Sequence, residues 1–138
     1  MRLISRVWAW AKDRRTLSHF TPWPHYLRDV ALQFEKWEGT GNDFVLVDGR
    51  QEGRLPSVWS DAEIQTLCDR KRGVGSDGVV IVTPVDSGAF QVDFRNPDGS
   101  RSFCGNGTRS AVAWANEEFN LTTEVQLDAE DGVHKGGI

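Results

Sequence analysis

Cysteine is scarce in this chain. Cys68 and Cys104 are its only two, too few for a disulfide framework, and no Cys-x-x-Cys pair or His/Cys spacing resembles a zinc site. Neither a staple nor a metal is expected. Charge of one sign is lacking as well: 16 Lys and Arg stand against 20 Asp and Glu, for a net charge of −4. A phosphate backbone requires a basic face, so nucleic acid is not an expected partner. No apolar run approaches the roughly 20 residues needed to cross a bilayer. The first residues also lack the apolar core, about 7–15 residues long, of a secretory signal. The expectation is a soluble, cytoplasmic protein with no membrane partner. Internal repeats and low-complexity tracts are missing too. His19, His25 and His134 stand apart from every motif and read as surface residues.

What is present divides unevenly. A length of 138 residues suits one domain with a real core. Residues 1–33 carry Arg2, Arg6, Lys12, Arg14, Arg15 and Arg28 against Asp13 and Asp29, whereas the remainder is acidic. Two different segments are joined, and the boundary falls near residue 33. Within the first, Leu3, Ile4, Val7, Trp8 and Ala11 recur at helical spacing and predict a short amphipathic helix, which Pro22 and Pro24 of "TPWP" then break. Residues 1–33 are expected to be an extension, disordered or mis-assigned, with an accessory helix or an organelle transit peptide as the alternatives.

From Phe34 to Ile138 the pattern is that of a compact α+β fold. Phe34–Trp37, Phe44–Asp48, Val79–Thr83, Phe90–Arg95 and Val125–Leu127 read as strands. The fourth alternates, with Phe90, Val92 and Phe94 directed inward and Gln91, Asp93 and Arg95 outward. Val79 to Val82 is apolar throughout, as in a strand covered on both faces. Ser60 followed by Glu63 is a capping-box signature, after which Ile64, Leu67 and Cys68 share one side of a helix. Cys68 is thereby explained as a small core hydrophobe.

Cys104 has a different setting, "FCGNGTRSAVAWA" from Phe103 to Ala115. The helix expected from Thr108 to about Phe119 shows little polar face, as in a helix buried in the middle of a fold. The Gly105-Asn106-Gly107 turn before it leaves backbone N–H groups free, and these with the helix dipole attract an anion such as a carboxylate. The same field favours a thiolate, the form that acts as base or nucleophile. A buried core cysteine beside a tight turn is the competing explanation. Three polar loops accompany this turn: "GTGNDF" with Asn42 and Asp43, "GVGSDG" with Ser76 and Asp77, and "FRNPDGS" leading from the fourth strand toward Cys104.

Three strings, "FEKWEGTGNDFVLVD", "CDRKRGVGSDGVVIV" and "DFRNPDGSRSFCGNGTRSAVAWA", occur in the order and spacing of diaminopimelate epimerases, which the chain resembles from Phe34 to about its C-terminus. These enzymes interconvert LL- and meso-diaminopimelate, a lysine and peptidoglycan precursor, without a cofactor. The resemblance implies two similar lobes, each a curled mixed sheet around a central buried helix, with substrate between them. It covers the N-terminal half of the family's length. Carried over by position, Cys104 corresponds to the first of two catalytic thiols. Gly105 and Asn106 correspond to groups that bind a substrate carboxylate, and Asn42 and Asn96 to substrate-contacting asparagines. Gly78 stands where some members have a side chain that touches substrate, so no side-chain contact carries over there. Cys68 matches a frequent structural cysteine.

Removing a proton alpha to a carboxylate without pyridoxal phosphate requires a base on one face, an acid on the other, and dipoles aimed at the developing charge. Two opposed cysteines supply the first two. The second cysteine, with its Cys-Gly-x-Gly turn, has no counterpart here, and the ending "HKGGI" reads as a chain cut mid-domain. The expectations are an epimerase fragment, or a split enzyme whose other lobe arrives in cis or in trans. The alternatives are a noncatalytic amino-acid-binding half, or a subunit of the proline-racemase or phenazine-type isomerase fold. Whether the chain forms a homodimer stays open.

Overall fold

The computed structural model describes residues 2–11, 31–51 and 55–137. Seven strands form one mixed sheet in sequential order: β1 (Arg2–Ala11), β2 (Ala31–Gly39), β3 (Asn42–Asp48), β4 (Val79–Asp86), β5 (Ala89–Arg95), β6 (Val125–Ala129) and β7 (Gly132–Gly136). Helix α1 (Asp61–Cys68) lies between β3 and β4, after a short 3-10 turn at Pro56–Val58, and α2 (Gly105–Phe119) lies between β5 and β6. Only β3/β4 and β5/β6 pair in parallel; the other neighbours are antiparallel. Parallel neighbours need a crossover, and each helix is one. Because β3 and β5 run in opposite directions while both crossovers step the same way across the sheet, right-handed connections must lie on opposite faces.

The core is divided accordingly. One face packs Trp37, Phe44, Leu46, Val80, Val82, Phe90, Val92 and Phe94 beneath Ala111, Trp114 and Ala115 of α2. The other packs Leu32, Phe34, Val45, Val47, Val79 and Ile81 beneath Ile64, Leu67 and Cys68 of α1. Period-2 alternation sorts β3 and β4 between the two clusters. The expected cover of Val79 to Val82 on both faces is present, since all four are buried. Trp37 and Trp114 are core residues as well. α1 begins as its sequence indicates: the Ser60 hydroxyl accepts from the Glu63 N–H, and the Glu63 carboxylate accepts from the Ser60 N–H.

Four sequence expectations need correction. Residues 2–11 form a strand, antiparallel to β2 with two register slips, and not a helix. Ile4, Val7, Trp8 and Trp10 are β-branched or aromatic and suit a pleated edge better than a short isolated helix. The boundary near residue 33 lies inside β2, whose Leu32 is buried; residues 12–30, including His19 and His25, lie outside the described residues. Arg95, expected outward, is 2% exposed. Its guanidinium donates to the carbonyls of Gly99, Pro56 and Trp59 at 2.7, 2.9 and 3.1 Å and to Asp61 Oδ1 at 3.1 Å, which makes its burial tolerable. The fourth concerns α2, which is amphipathic rather than apolar all round: Arg109, Glu117 and Glu118 are exposed opposite the sealed Gly107, Ser110, Ala111, Trp114 and Ala115.

Candidate active site

α2 begins three residues earlier than its sequence suggests. Cys104 is its N-cap, and Gly105, Asn106 and Gly107 form its first turn. The Cys104 Sγ accepts from the Gly107 N–H at 3.3 Å, while the Cys104 carbonyl accepts from the Thr108 N–H at 2.8 Å and from its hydroxyl at 2.9 Å. Glycine is a poor helix former, but position 107 is tight: an added Cβ would lie 3.1 Å from the Phe94 ring, which would have to give way. Two first-turn N–H groups, those of Gly105 and Asn106, have no acceptor among the described residues. Cys104 itself is half-buried, Gly105 is exposed, and a Cβ at Gly105 would meet nothing within 4 Å. The thiol turn is an open ledge.

Asn42, at the start of β3, reaches this ledge. Its Oδ1 accepts from Asn106 Nδ2 at 2.7 Å, joining residues 64 positions apart. Behind the pair stands a charged cluster. Asn42 Nδ2 donates to Asp77 Oδ2 at 3.4 Å, and Asp77 accepts from the Asp43 N–H at 3.0 Å and from Arg70 at 3.2 Å. Arg70 holds Asp43 through two bonds of 2.7 and 3.2 Å, and Lys36 reaches Asp43 at 2.7 Å and the Gly75 carbonyl at 2.7 Å. The Arg70 guanidinium, with help from Lys36 and against the cost of burial, keeps the Asp43 carboxyl well below the usual carboxylate range. Asp43 raises the Arg70 guanidinium in turn. Ser76, buried beside Asp77, accepts from the Val45 and Gly78 N–H groups and donates to the Gly78 carbonyl.

The structure thus brings Asn42, Cys104, Gly105 and Asn106 to one place. Asn96 is held differently. Its amide donates to the Ser100 carbonyl and hydroxyl at 3.3 and 3.1 Å and to the Ser102 hydroxyl at 2.9 Å, so its bonds stay within the loop leading to Cys104. Gly78 packs so that a Cβ would lie 2.5 Å from Phe94 Cζ. Phe94 fills the space a side chain at that position would take. Cys68 is buried at the end of α1, where desolvation pushes its thiol up to about 11. It belongs to the opposite face of the sheet from Cys104.

Sequence reasoning missed Lys36, Arg70 and Arg109, whose guanidinium donates to Asn106 Oδ1 at 3.3 Å. All three sit inside strings already singled out; Arg109 lies three residues after Asn106 on one helix, a spacing that could have found it, whereas the partners of Lys36 and Arg70 carry no local mark. His134 is not a plain surface residue: its ring stacks on Phe103 with centroids 4.5 Å apart, and its Nε2 lies 2.7 Å from Asp131 Oδ1. Two cavities lie away from the ledge, one of about 420 Å³ beside Asp93, Arg101 and Asp128 and one of about 330 Å³ beside Arg50, Trp114 and Glu118. Among the described residues, no group of three or more His, Cys, Asp or Glu could hold a metal ion, and no helix is long and apolar enough to cross a membrane.

Comparison with known proteins shows what the chain is similar to. Residues 34–135 match the family described as diaminopimelate epimerase. The chain is 36% identical over 108 residues to a diaminopimelate epimerase of Flavobacterium psychrophilum, covering 78% of this chain and 41% of that protein. It is 42% identical to the Gluconobacter oxydans diaminopimelate epimerase over 108 residues, 75% of this chain and 41% of that one. The chain therefore spans well under half the length of these relatives. Among solved structures, a Bacillus anthracis phenazine biosynthesis protein of the PhzF family matches with a TM-score of 0.50 at 17% identity, over 78% of this chain and 34% of that one. That likeness concerns the fold alone.

Proposed function

Since the chain belongs to the diaminopimelate epimerase family, we propose that it is the N-terminal lobe of a cofactor-independent isomerase interconverting LL- and meso-diaminopimelate. What carries the reading is Cys104 at the N-cap of α2, on a ledge shared with Asn42 and Asn106, inside the segment that matches the family. In this reading Cys104 exchanges the alpha proton on one face of the substrate. The free N–H groups of Gly105 and Asn106, at the positive end of α2, take the substrate carboxylate and stabilise the charge that builds on it. Asn42 and Asn96 complete the contacts. The thiol that serves the opposite face belongs to the part of the family's length this chain does not span, supplied in cis or in trans. The residues before Ala31, where β2 begins, are an addition to the lobe, whose site is the cytoplasm and whose product feeds amino-acid and cell-wall synthesis.

An open half-site leaves a developing carbanion facing water rather than fixed dipoles, so the isolated chain is expected to be inactive. The test follows solvent deuterium at the alpha carbon of diaminopimelate. Incorporation is expected only when the C-terminal lobe of a related epimerase is added, and Cys104→Ala abolishes it. Turnover by the isolated chain at about 1 per second or more would contradict the two-thiol account. A chain starting at Ala31, which keeps β2, should melt within about 5 °C of the full protein if the N-terminal residues are an addition.

A further inference from the structure

The two asparagines on the ledge pose a question of direction. An amide's oxygen and nitrogen are alike in shape and opposite in hydrogen bonding, so which end meets a ligand must be decided by what the other end touches. Here both ends of the relay are decided by charge. The Asp77 carboxylate can only accept, and it faces Asn42 Nδ2 at 3.4 Å. The Arg109 guanidinium can only donate, and it faces Asn106 Oδ1 at 3.3 Å. Between them Asn106 Nδ2 donates to Asn42 Oδ1 at 2.7 Å. Turning either amide over alone opposes like groups at the short central contact. Turning both opposes oxygen to carboxylate at one end and NH2 to guanidinium at the other.

The geometry points to Asp77 and Arg109 as positioning residues that lock the amides of Asn42 and Asn106 in a single orientation. The lock leaves each NH2 group one hydrogen for a ligand, on the same ledge as the free N–H groups of Gly105 and Asn106. A carboxylate meeting it finds donors throughout. Asp77 is well placed for this role because it is itself held, by the Asp43 N–H at 3.0 Å and by Arg70 at 3.2 Å, while its own N–H donates to the Asp43 carbonyl at 2.8 Å. Its charge is thus aimed at the far end of the amide pair and not at the thiol. The ligand side of this inference rests on the proposed carboxylate site; the lock itself does not.

The side-chain amide spectrum of the 15N-labelled full chain tests it. Asn42 and Asn106 are each expected to give one pair of NH2 signals, with hydrogen exchange slowed about tenfold or more relative to exposed Asn120. Asp77→Asn, which can accept or donate, should split both residues into two sets of signals, and Asp77→Glu, again acceptor-only, should restore one. Arg109→Met removes an exposed donor, so it tests the same lock from the other end should Asp77→Asn fail to fold; it should speed exchange at Asn106. One unchanged set of signals in both Asp77→Asn and Arg109→Met would overturn the lock. Titration with meso-diaminopimelate separates the two readings. Intact chain should bind at least fivefold more tightly than Asp77→Asn. A locked amide pair with no response to diaminopimelate would sink the carboxylate site and leave the lock standing, whereas equal binding by both chains would overturn the positioning role.

Discussion

α1 and α2 both connect parallel strands and both carry a cysteine, but they place it at opposite ends and in opposite surroundings. Cys68 closes α1, turned into the cluster of Val45, Val79 and Ile81, and burial pushes its thiol up to about 11. Cys104 opens α2, half-buried, with its sulfur accepting a first-turn N–H and two further N–H groups beside it that have no acceptor among the described residues. The end of the helix sets the local field, and the depth of packing sets the desolvation. A thiol suited to proton transfer needs access and a positive field, and only the α2 site offers both.

The largest effect should come from removing the residue that seats α2. Trp114 is 3% exposed at the centre of its cluster, and Trp114→Ala is expected to cost about 3–5 kcal/mol in urea unfolding. Hydrogen exchange should show the loss around α2 and β6, with α1 retaining its protection; equal loss on both faces would mean that the two clusters act as one. Next comes reactivity. Raising a thiol from 9.0 to about 11 cuts its thiolate fraction roughly a hundredfold at pH 7, so brief iodoacetamide treatment should label Cys104 far ahead of Cys68 by mass spectrometry. Comparable labelling of the folded protein would erase the contrast between the helices.

The same shift has a thermodynamic face. The folded state holds the Cys68 proton more tightly than the unfolded chain, so stability is intact below about pH 9 and falls as the pH rises toward about 11, by roughly 3 kcal/mol in total. Cys68→Ala should flatten that alkaline limb in a pH series of denaturation midpoints. Asp43 works at the other extreme: its carboxyl is lowered, so its contribution is present above the ordinary carboxylate range and is lost as the pH falls below about 4. Asp43→Asn should flatten the acid limb. The smallest effects concern the two caps. Ser60→Ala should cost about 1 kcal/mol by losing one half of a capping box. Cys104→Ser places a stronger acceptor at the N-cap of α2 and should stabilise by about 0.5 kcal/mol in thermal melts while removing the thiol.

Much of this was legible in the residues. The alternation of Phe90, Val92 and Phe94, the unbroken Val79 to Val82 run and the Ser60/Glu63 box each encode a local rule, so strands β2 to β6 and helix α1 were anticipated. β7 was not, because Gly132 to Gly136 has neither alternation nor bulk; its place comes from pairing with β6 and from Gly136 packing closely against Val112. β1 was misread because helical and strand periods overlap in a short apolar segment. At the ledge, Cys104, Gly105 and Asn106 were visible as neighbours in one string.

What the sequence by itself determined is therefore local and covalent: which thiol stands before a helix, which turn offers free N–H groups, and which strands can be buried on both sides. The tertiary structure alone decided the rest. Asn42 meets Asn106 across 64 residues, Asp77 closes the far end of that contact, and Arg95 is buried among the carbonyls of Pro56, Trp59 and Gly99. These contacts depend on parallel pairing of β3 with β4 and on the opposite faces taken by the two crossovers. Hydrogen bonds of 2.7 to 3.4 Å between distant residues leave no period in the chain, since their partners are chosen by the sheet and not by neighbours in sequence.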